Sequence, residues 1–420
     1  MALSITSLVT RMPHRPLAEH CTTRVIRHRD LRGHKPPRPS CVRLYIGLTA
    51  QDRPSIRAKE DTTDMRAHNV DRERVDTVMV DGHERIGEAR RRRGDSLRLF
   101  TPAAYDGLPG IPFPAPPDAY PTKDAMADYL EAYAVRFALP LRLGTVVDRL
   151  SRQGDGYALS TAGRRLAANH VVVATGAFHR PWVPAFASAL DPGIVQLHSV
   201  QYRTPDQLQD GPGLIVGAGN SGAEIAMDLA THHPTWLSGR DTGHLPLALR
   251  GRGLRGRLFW WLATHVFTVD RRLGRAVKRR ELGHGALLIR LRREDLEAAG
   301  IRRVPRTVGA RNRRPVFQDG RIADVANVVW CTRFRPDFGW IDLPVFGANG
   351  SPVHYRGVVK DEPGLYFVGL LFLYSLGSST VGGVGRDAAY IAQHIGGRHR
   401  PAHGRASGWI PEPARRAGHA

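Results

Sequence analysis

Cysteine is almost missing from this chain: Cys21, Cys41 and Cys331 are the only three in 420 residues. They form no CxxC pair and no metal-ligand spacing. That excludes a disulfide-framed secreted domain and argues against a dithiol–disulfide reductase. The pattern suits a reducing compartment, so a cytoplasmic protein is expected. Lysine is nearly as rare, at positions 35, 59, 123, 278 and 360, so arginine carries the net charge of +22. The arginines are dispersed, with no aromatic interleaving and no recognition module. No specific nucleic-acid partner is therefore expected. Long apolar runs are also missing, and a membrane span needs about 18 such residues. The longest candidate, LFWWLATHVFTV from Leu258 to Val269, is too short and holds His265. It reads as a buried or docking helix, with a one-sided membrane contact as the lesser alternative. The 19 histidines are scattered, so no metal site is expected.

An apolar share of 42% and a charged share of 24% belong to an ordinary globular chain, and the length implies two domains plus tails. Residues 1–70 show no sustained period and are rich in Arg, His and Pro, which reads as a disordered basic tail. Residues 398–420 read as a second loose tail. Between them strands alternate with helices. ADYLEAYAVRFAL (Ala127–Leu139) has helical spacing, ANHVVVATG (Ala168–Gly176) is a buried strand ending at a glycine, and ANVVWCT (Ala326–Thr332) and GLYFVGL (Gly364–Leu370) are further buried strands. RDAAYIAQHI (Arg386–Ile395) closes the pattern as a helix. This order predicts an α/β fold with parallel sheets.

GLIVGAGNSGAEIAMDLA places Gly217, Gly219 and Gly222 as GxGxxG between an apolar strand and an amphipathic helix. That context turns a weak motif into a dinucleotide fingerprint. Gly217 permits the tight turn, Gly219 lets a pyrophosphate approach, and Gly222 lets the helix pack on the strand. The helix start then offers free N–H groups to the phosphates. The next strand tip reads WLSGRD, with Ser238 and Arg240 where NAD-binding chains carry an acid. An arginine suits a 2′-phosphate, so NADP is expected.

Together, GAGNSGAEIAMDL, YPTKDAMADYLEAYA (Tyr120–Ala134), VVVATG (Val171–Gly176) and WCTRFRPD (Trp330–Asp337) resemble the class B flavin monooxygenases, most nearly the bacterial FAD/NADPH oxidoreductases similar to YUCCA-type monooxygenases. The resemblance covers about residues 75–397. It implies two Rossmann-like dinucleotide-binding domains, the NADP domain (206–325) inserted in an FAD domain (71–205 and 326–397). It also implies NADPH reducing FAD, a flavin C4a-hydroperoxide formed with O2, and oxygenation of a small organic substrate. Asp81 matches the acid that holds the FAD ribose, and Gly176 and Gly385 match cofactor-side glycines. Asn220 and Ser221 stand at the turn facing the flavin–nicotinamide junction and are the catalytic candidates. His198 and Tyr202, in DPGIVQLHSVQYR, match a linker motif in part.

The chain departs from that family at VDTVMVDGHERIG (Val75–Gly87). The family's first fingerprint, a glycine turn and helix after the first strand, is missing, though a βαβ unit needs about 30 residues. The stretch reads as two family strands fused at Val80–Asp81, or as the second strand alone. Either way the FAD domain is incomplete at its N-terminus. Arg90 stands where the family has tryptophan, and Arg333 where a crossing glycine is usual. The alternative function is a degenerate NADP-binding protein without flavin catalysis.

Overall fold

The computed structural model describes residues 43–47, 77–246, 249, 253–284 and 286–398; most of both expected tails lies outside the described residues. The chain forms two main sheets, each the frame of a dinucleotide-binding domain. The second is the more regular. Its strands are β9 (Val195–His198), β10 (Gly213–Val216), β11 (Thr235–Ser238), β12 (Arg302–Val304) and β15 (Asn327–Trp330), in the order β12-β11-β10-β15-β9. Every pairing in it is parallel. Strands β10 and β15 are buried throughout, as apolar runs covered on both faces should be. Helix α3 (Asn220–Leu229) packs Ala223, Ala226 and Leu229 against Ile215, Leu237 and Val329. The ladder takes in β9 and β15 on either side of residues 206–325.

The first sheet runs β18-β7-β1-β2-β3, from β1 (Arg43–Gly47), β2 (Thr77–Asp81), β3 (Leu141–Arg142), β7 (His170–Val173) and β18 (Leu365–Phe367). Strands β2 and β3 are parallel, as are β7 and β18. The central strand β1 is antiparallel to both neighbours, with Arg43 opposite Asp81 and Gly47 opposite Thr77. Two expectations change here. Five residues inside the supposed N-terminal tail form the middle of a sheet. And VDTVMVDGHERIG is not two fused strands: Thr77–Asp81 is one strand, and the chain turns straight after it. The residues before Asp81 therefore belong to the acid-tipped strand, and β1 runs antiparallel beside it.

A meander of β4 (Arg149–Gln153), β5 (Gly156–Thr161) and β6 (Arg164–Ala168), joined by β17 (Ile341–Asp342), covers one face of the first sheet. Leu150, Leu159, Val171, Leu365 and Phe367 are packed in the shared core. Helix α7 (Val381–Arg398) covers the other face through Val384, Ile391 and Ile395. Helix α2 (Lys123–Arg136) starts after Thr122, whose Oγ1 accepts the Ala125 N–H at 3.1 Å. It buries Met126, Leu130 and Tyr133 against Leu99 and Val381. A short helix, α1 (Glu88–Arg91), precedes it. The two crossings between domains, β8 (Arg180–Pro181) and β16 (Phe334–Arg335), pair with each other as an antiparallel ribbon. The hairpin β13 (Thr307–Arg311) and β14 (Arg314–Phe317) completes the strands. Helices α4 (Leu254–His265), α5 (Arg272–His284) and α6 (Arg293–Ala298) lie between β11 and β12.

Candidate functional site

The glycine turn after β10 has the geometry its spacing predicts. Gly217 has φ +114°, and a Cβ there would stand 2.3 Å from the Cys331 carbonyl oxygen. A Cβ on Gly222 would stand 1.8 Å from the Gly217 oxygen, so the helix could not approach the strand with any larger residue. Gly219 is different: it is extended (φ −80°, ψ −173°), and a Cβ would meet nothing within 4 Å. Its absent side chain leaves space directly before the first turn of α3, where orphan N–H groups face outward. These residues fit a pyrophosphate.

At the tip of β11 the two expected ribose-side residues separate. Ser238 is fully buried; its Oγ donates to the Pro305 oxygen at 2.8 Å and accepts the Thr307 N–H at 2.8 Å. It is tied to the β12–β13 connection. Arg240 is exposed, just beyond Gly239, which packs against Ala218.

Asn220 is likewise committed within the protein. Its Nδ2 donates to the Leu287 oxygen at 3.0 Å, and its Oδ1 accepts the Ile289 N–H at 2.9 Å. The expected catalytic amide thus pins the 287–289 segment to the start of α3. Arg290, one residue on, pairs with Glu224 at 3.0 Å and lies 5.5 Å from the Tyr120 ring. Ser221 is exposed in the first turn of α3.

The linker residues tie the end of β9 to the crossing and to α3. His198 is buried; its Nε2–H donates to the Arg333 oxygen at 3.2 Å, and its Nδ1 accepts the Val200 N–H at 3.3 Å. Burial pushes its pKa down to about 4, so the ring is neutral near pH 7. Tyr202 donates to Asp228 Oδ2 at 2.7 Å, joining the linker to α3. Burial first, and then that carboxylate, raise the phenol's pKa.

On the first sheet, Asp81 is buried at the end of β2 and its Oδ1 accepts the His83 N–H at 3.0 Å. Gly176, buried with φ +76°, turns the chain after β7. Gly385 lies one turn inside α7, and a Cβ there would only touch Pro109 at 3.5 Å. The glycines that this helix start needs are Gly382, 2.3 Å from the Tyr105 oxygen by the same construction, and Gly383, 2.0 Å from the Gly377 oxygen. Sequence reading missed both, although the VGGVG run was the available signal.

Beneath that helix start lies a buried carboxyl that spacing did not reveal. Asp106 has no exposure; its Oδ1 accepts from Thr101 Oγ1, and its Oδ2 has no hydrogen-bond partner. Burial lifts its pKa to about 7, against the opposing pulls of Thr101 and Arg90. Arg90 itself is buried in α1, in place of the family's tryptophan. Cys331 sits beside the Gly217 turn, its thiol pushed up to about 12 by burial, and among the described residues it is a free cysteine.

The family model for pyridine nucleotide-disulphide oxidoreductases matches residues 67–237. An uncharacterized CzcO-like oxidoreductase of Geobacillus kaustophilus is 39% identical over 324 residues, 76% of this chain and 90% of the relative. A probable indole-3-pyruvate monooxygenase of Arabidopsis thaliana, YUCCA9, is 27% identical over 73% of this chain and 79% of its own length. Among solved structures, a variant of the flavin monooxygenase from Stenotrophomonas maltophilia aligns at 25% identity with a TM-score of 0.59, over 74% of this chain and 87% of that one.

The chain belongs to the class B flavin monooxygenases, enzymes whose cofactors are FAD and NADP(H). Its NADP half fits the dinucleotide at the turn and helix start. Its FAD half carries Asp81 at the end of β2 and Gly176 in the turn after β7. It does not fit at the diphosphate: β1 enters the sheet at the end where Asp81 lies and runs away from it, so among the described residues no strand leads into a phosphate turn there.

Proposed function

We propose that this chain is an NADPH- and FAD-dependent monooxygenase that oxygenates a small organic substrate with O2, working in the cytoplasm. The observation that carries the reading is the open space at Gly219 in front of α3, between two glycines that no other residue could replace. When bound, FAD supplies hydride acceptance and the activation of O2. The chain's own residues do the binding and positioning. Gly219 and the N–H groups of α3 take the NADP diphosphate, and Arg240 takes the 2′-phosphate. Asn220 holds the 287–289 segment to the start of α3, and Ser221 would offer a hydroxyl at the same turn. His198 holds the end of β9 to the crossing at Arg333, and Tyr202 holds the segment after β9 to α3.

The test begins with the visible spectrum of the purified protein. A flavin band that bleaches with NADPH under anaerobic conditions, and recovers with O2, is the expected result. In a second arm, Arg240→Ala lowers the preference for NADPH over NADH by roughly tenfold, the scale of one charged hydrogen bond. A colourless protein that still binds NADPH would overturn the flavin part of this reading.

A further inference from the structure

Helix α4 has two apolar faces, and only one of them is used inside the protein. The inner face buries Gly256 and Ala263. Trp260 on that side lies 5.3 Å from the Tyr105 ring, and Thr264 packs against Gly377. The outer face carries Leu254, Leu258 and Trp261 at the i, i+4, i+7 spacing of a single stripe. They are 84%, 53% and 51% exposed. At about 100° per residue, Arg255 and Arg257 fall on either side of that stripe, and both are exposed. Helix α5 and the residue before it add exposed Arg271, Arg272, Arg279 and Arg280. From residue 254 to residue 284 eight Lys and Arg stand against two acids, Asp270 and Glu281. An exposed Trp/Leu stripe edged by arginine is the pattern of a helix lying in a bilayer interface.

We infer that the outer face of α4 docks on an anionic lipid bilayer, with Leu254, Leu258 and Trp261 in the headgroup–acyl boundary and the flanking arginines on lipid phosphates. Charge selects this occupant. A second copy meeting the same face would set arginine against arginine, whereas anionic headgroups neutralise them. A nucleic acid would match the charge but leave three large apolar side chains against phosphates. No helix of the described chain is long and apolar enough to cross a membrane, so the contact is one-sided.

The test is co-sedimentation of the full chain with phosphatidylcholine vesicles, with and without phosphatidylglycerol. Binding to the phosphatidylglycerol vesicles, and much weaker binding to phosphatidylcholine alone, is expected. A Leu258→Ser, Trp261→Ser double variant keeps the charge and should bind roughly tenfold or more weakly, because the apolar burial is lost. Arg255→Gln with Arg257→Gln should cost about fivefold per arginine. Arg164→Gln with Arg165→Gln, on the exposed edge strand β6, removes the same charge elsewhere and should change little. All these positions are exposed, so unchanged thermal unfolding checks each fold. The inference is overturned if the Leu258/Trp261 variant binds like the wild type. It is equally overturned if the Arg164/Arg165 pair costs as much as the Arg255/Arg257 pair, which would mean general charge attraction. A wild-type dimer that the Leu258/Trp261 variant dissolves would identify a second copy as the occupant instead.

Discussion

A glycine can serve a fold or a ligand, and the three in the fingerprint divide between those uses. Gly217 and Gly222 are held by contacts within the protein, to the Cys331 oxygen and to each other's backbone. Gly222→Ala is therefore expected to destabilise the second domain outright, seen as a lower unfolding midpoint without any ligand. Gly219→Ala meets open space in an ordinary backbone conformation. It should leave the unfolding midpoint unchanged within about 0.5 kcal/mol and weaken NADPH binding by at least roughly tenfold, as titration would read. Equal loss of stability in both variants would refute the division. Asp106 makes a different prediction, of pH dependence. Its folded pKa of about 7 lies above the ordinary carboxyl value of 3.8. Between those two values the folded state holds a proton that the unfolded state has released. Stability from this group is therefore full at the acid end and falls as pH rises towards 7, by up to about 4 kcal/mol. Asp106→Asn removes that slope. Unfolding of the wild type at pH 5 and pH 8, compared with the variant, checks it; parallel pH profiles would exclude the effect.

At the scale of the element, one of the crossings between domains carries a strained residue. Arg333 has φ +84°, a conformation suited to glycine, and its oxygen receives bonds from His198 and from the Trp182 N–H. Those bonds hold a backbone shape that the side chain opposes, at a cost of about 1 kcal/mol or more. Arg333→Gly should raise stability by about that amount, less the entropy glycine adds to the unfolded chain. The readout is a higher urea midpoint at unchanged slope; a lower midpoint would show that the guanidinium's bond to the Leu282 oxygen, 3.2 Å, matters more. The same elements show what the sequence could reveal. The GAGNSG turn was legible because its glycines constrain each other within six residues. The internal partners of Asn220 and Ser238 could not be read from spacing, because Leu287, Ile289 and Thr307 lie some 70 residues away along the chain. Gly382 was passed over in favour of Gly385 for the same reason: only the fold brings the Tyr105 oxygen against it. The strand at Arg43–Gly47 was hidden most completely. It is five residues without a readable period, set in a stretch whose composition points to disorder.

The whole molecule turns on that strand. The second sheet is parallel throughout and closes without help, whereas the first has a reversed strand at its centre. Strand β1 satisfies one edge of β2 and one edge of β7 together. Neighbouring strands stand about 4.8 Å apart, so its removal opens a gap of about 10 Å between β2 and β7. Two rows of buried N–H and C=O groups would then lose their partners. Deleting residues 1–64 tests this directly, because a disordered tail could be removed at no cost. The expected result is a chain whose first domain is open to protease at β2 and β7, while NADPH still protects a fragment spanning about residues 190–332. Tyr45→Pro should act in the same direction without shortening the chain. It removes one backbone donor in mid-ladder, opposite Met79 and Val172, where a proline takes a hydrogen bond out of the sheet. A truncated chain that unfolds at the wild-type temperature, with β2 and β7 still protected from hydrogen exchange, would show that another segment can fill the slot. It would also return residues 43–47 to the tail that their composition suggests.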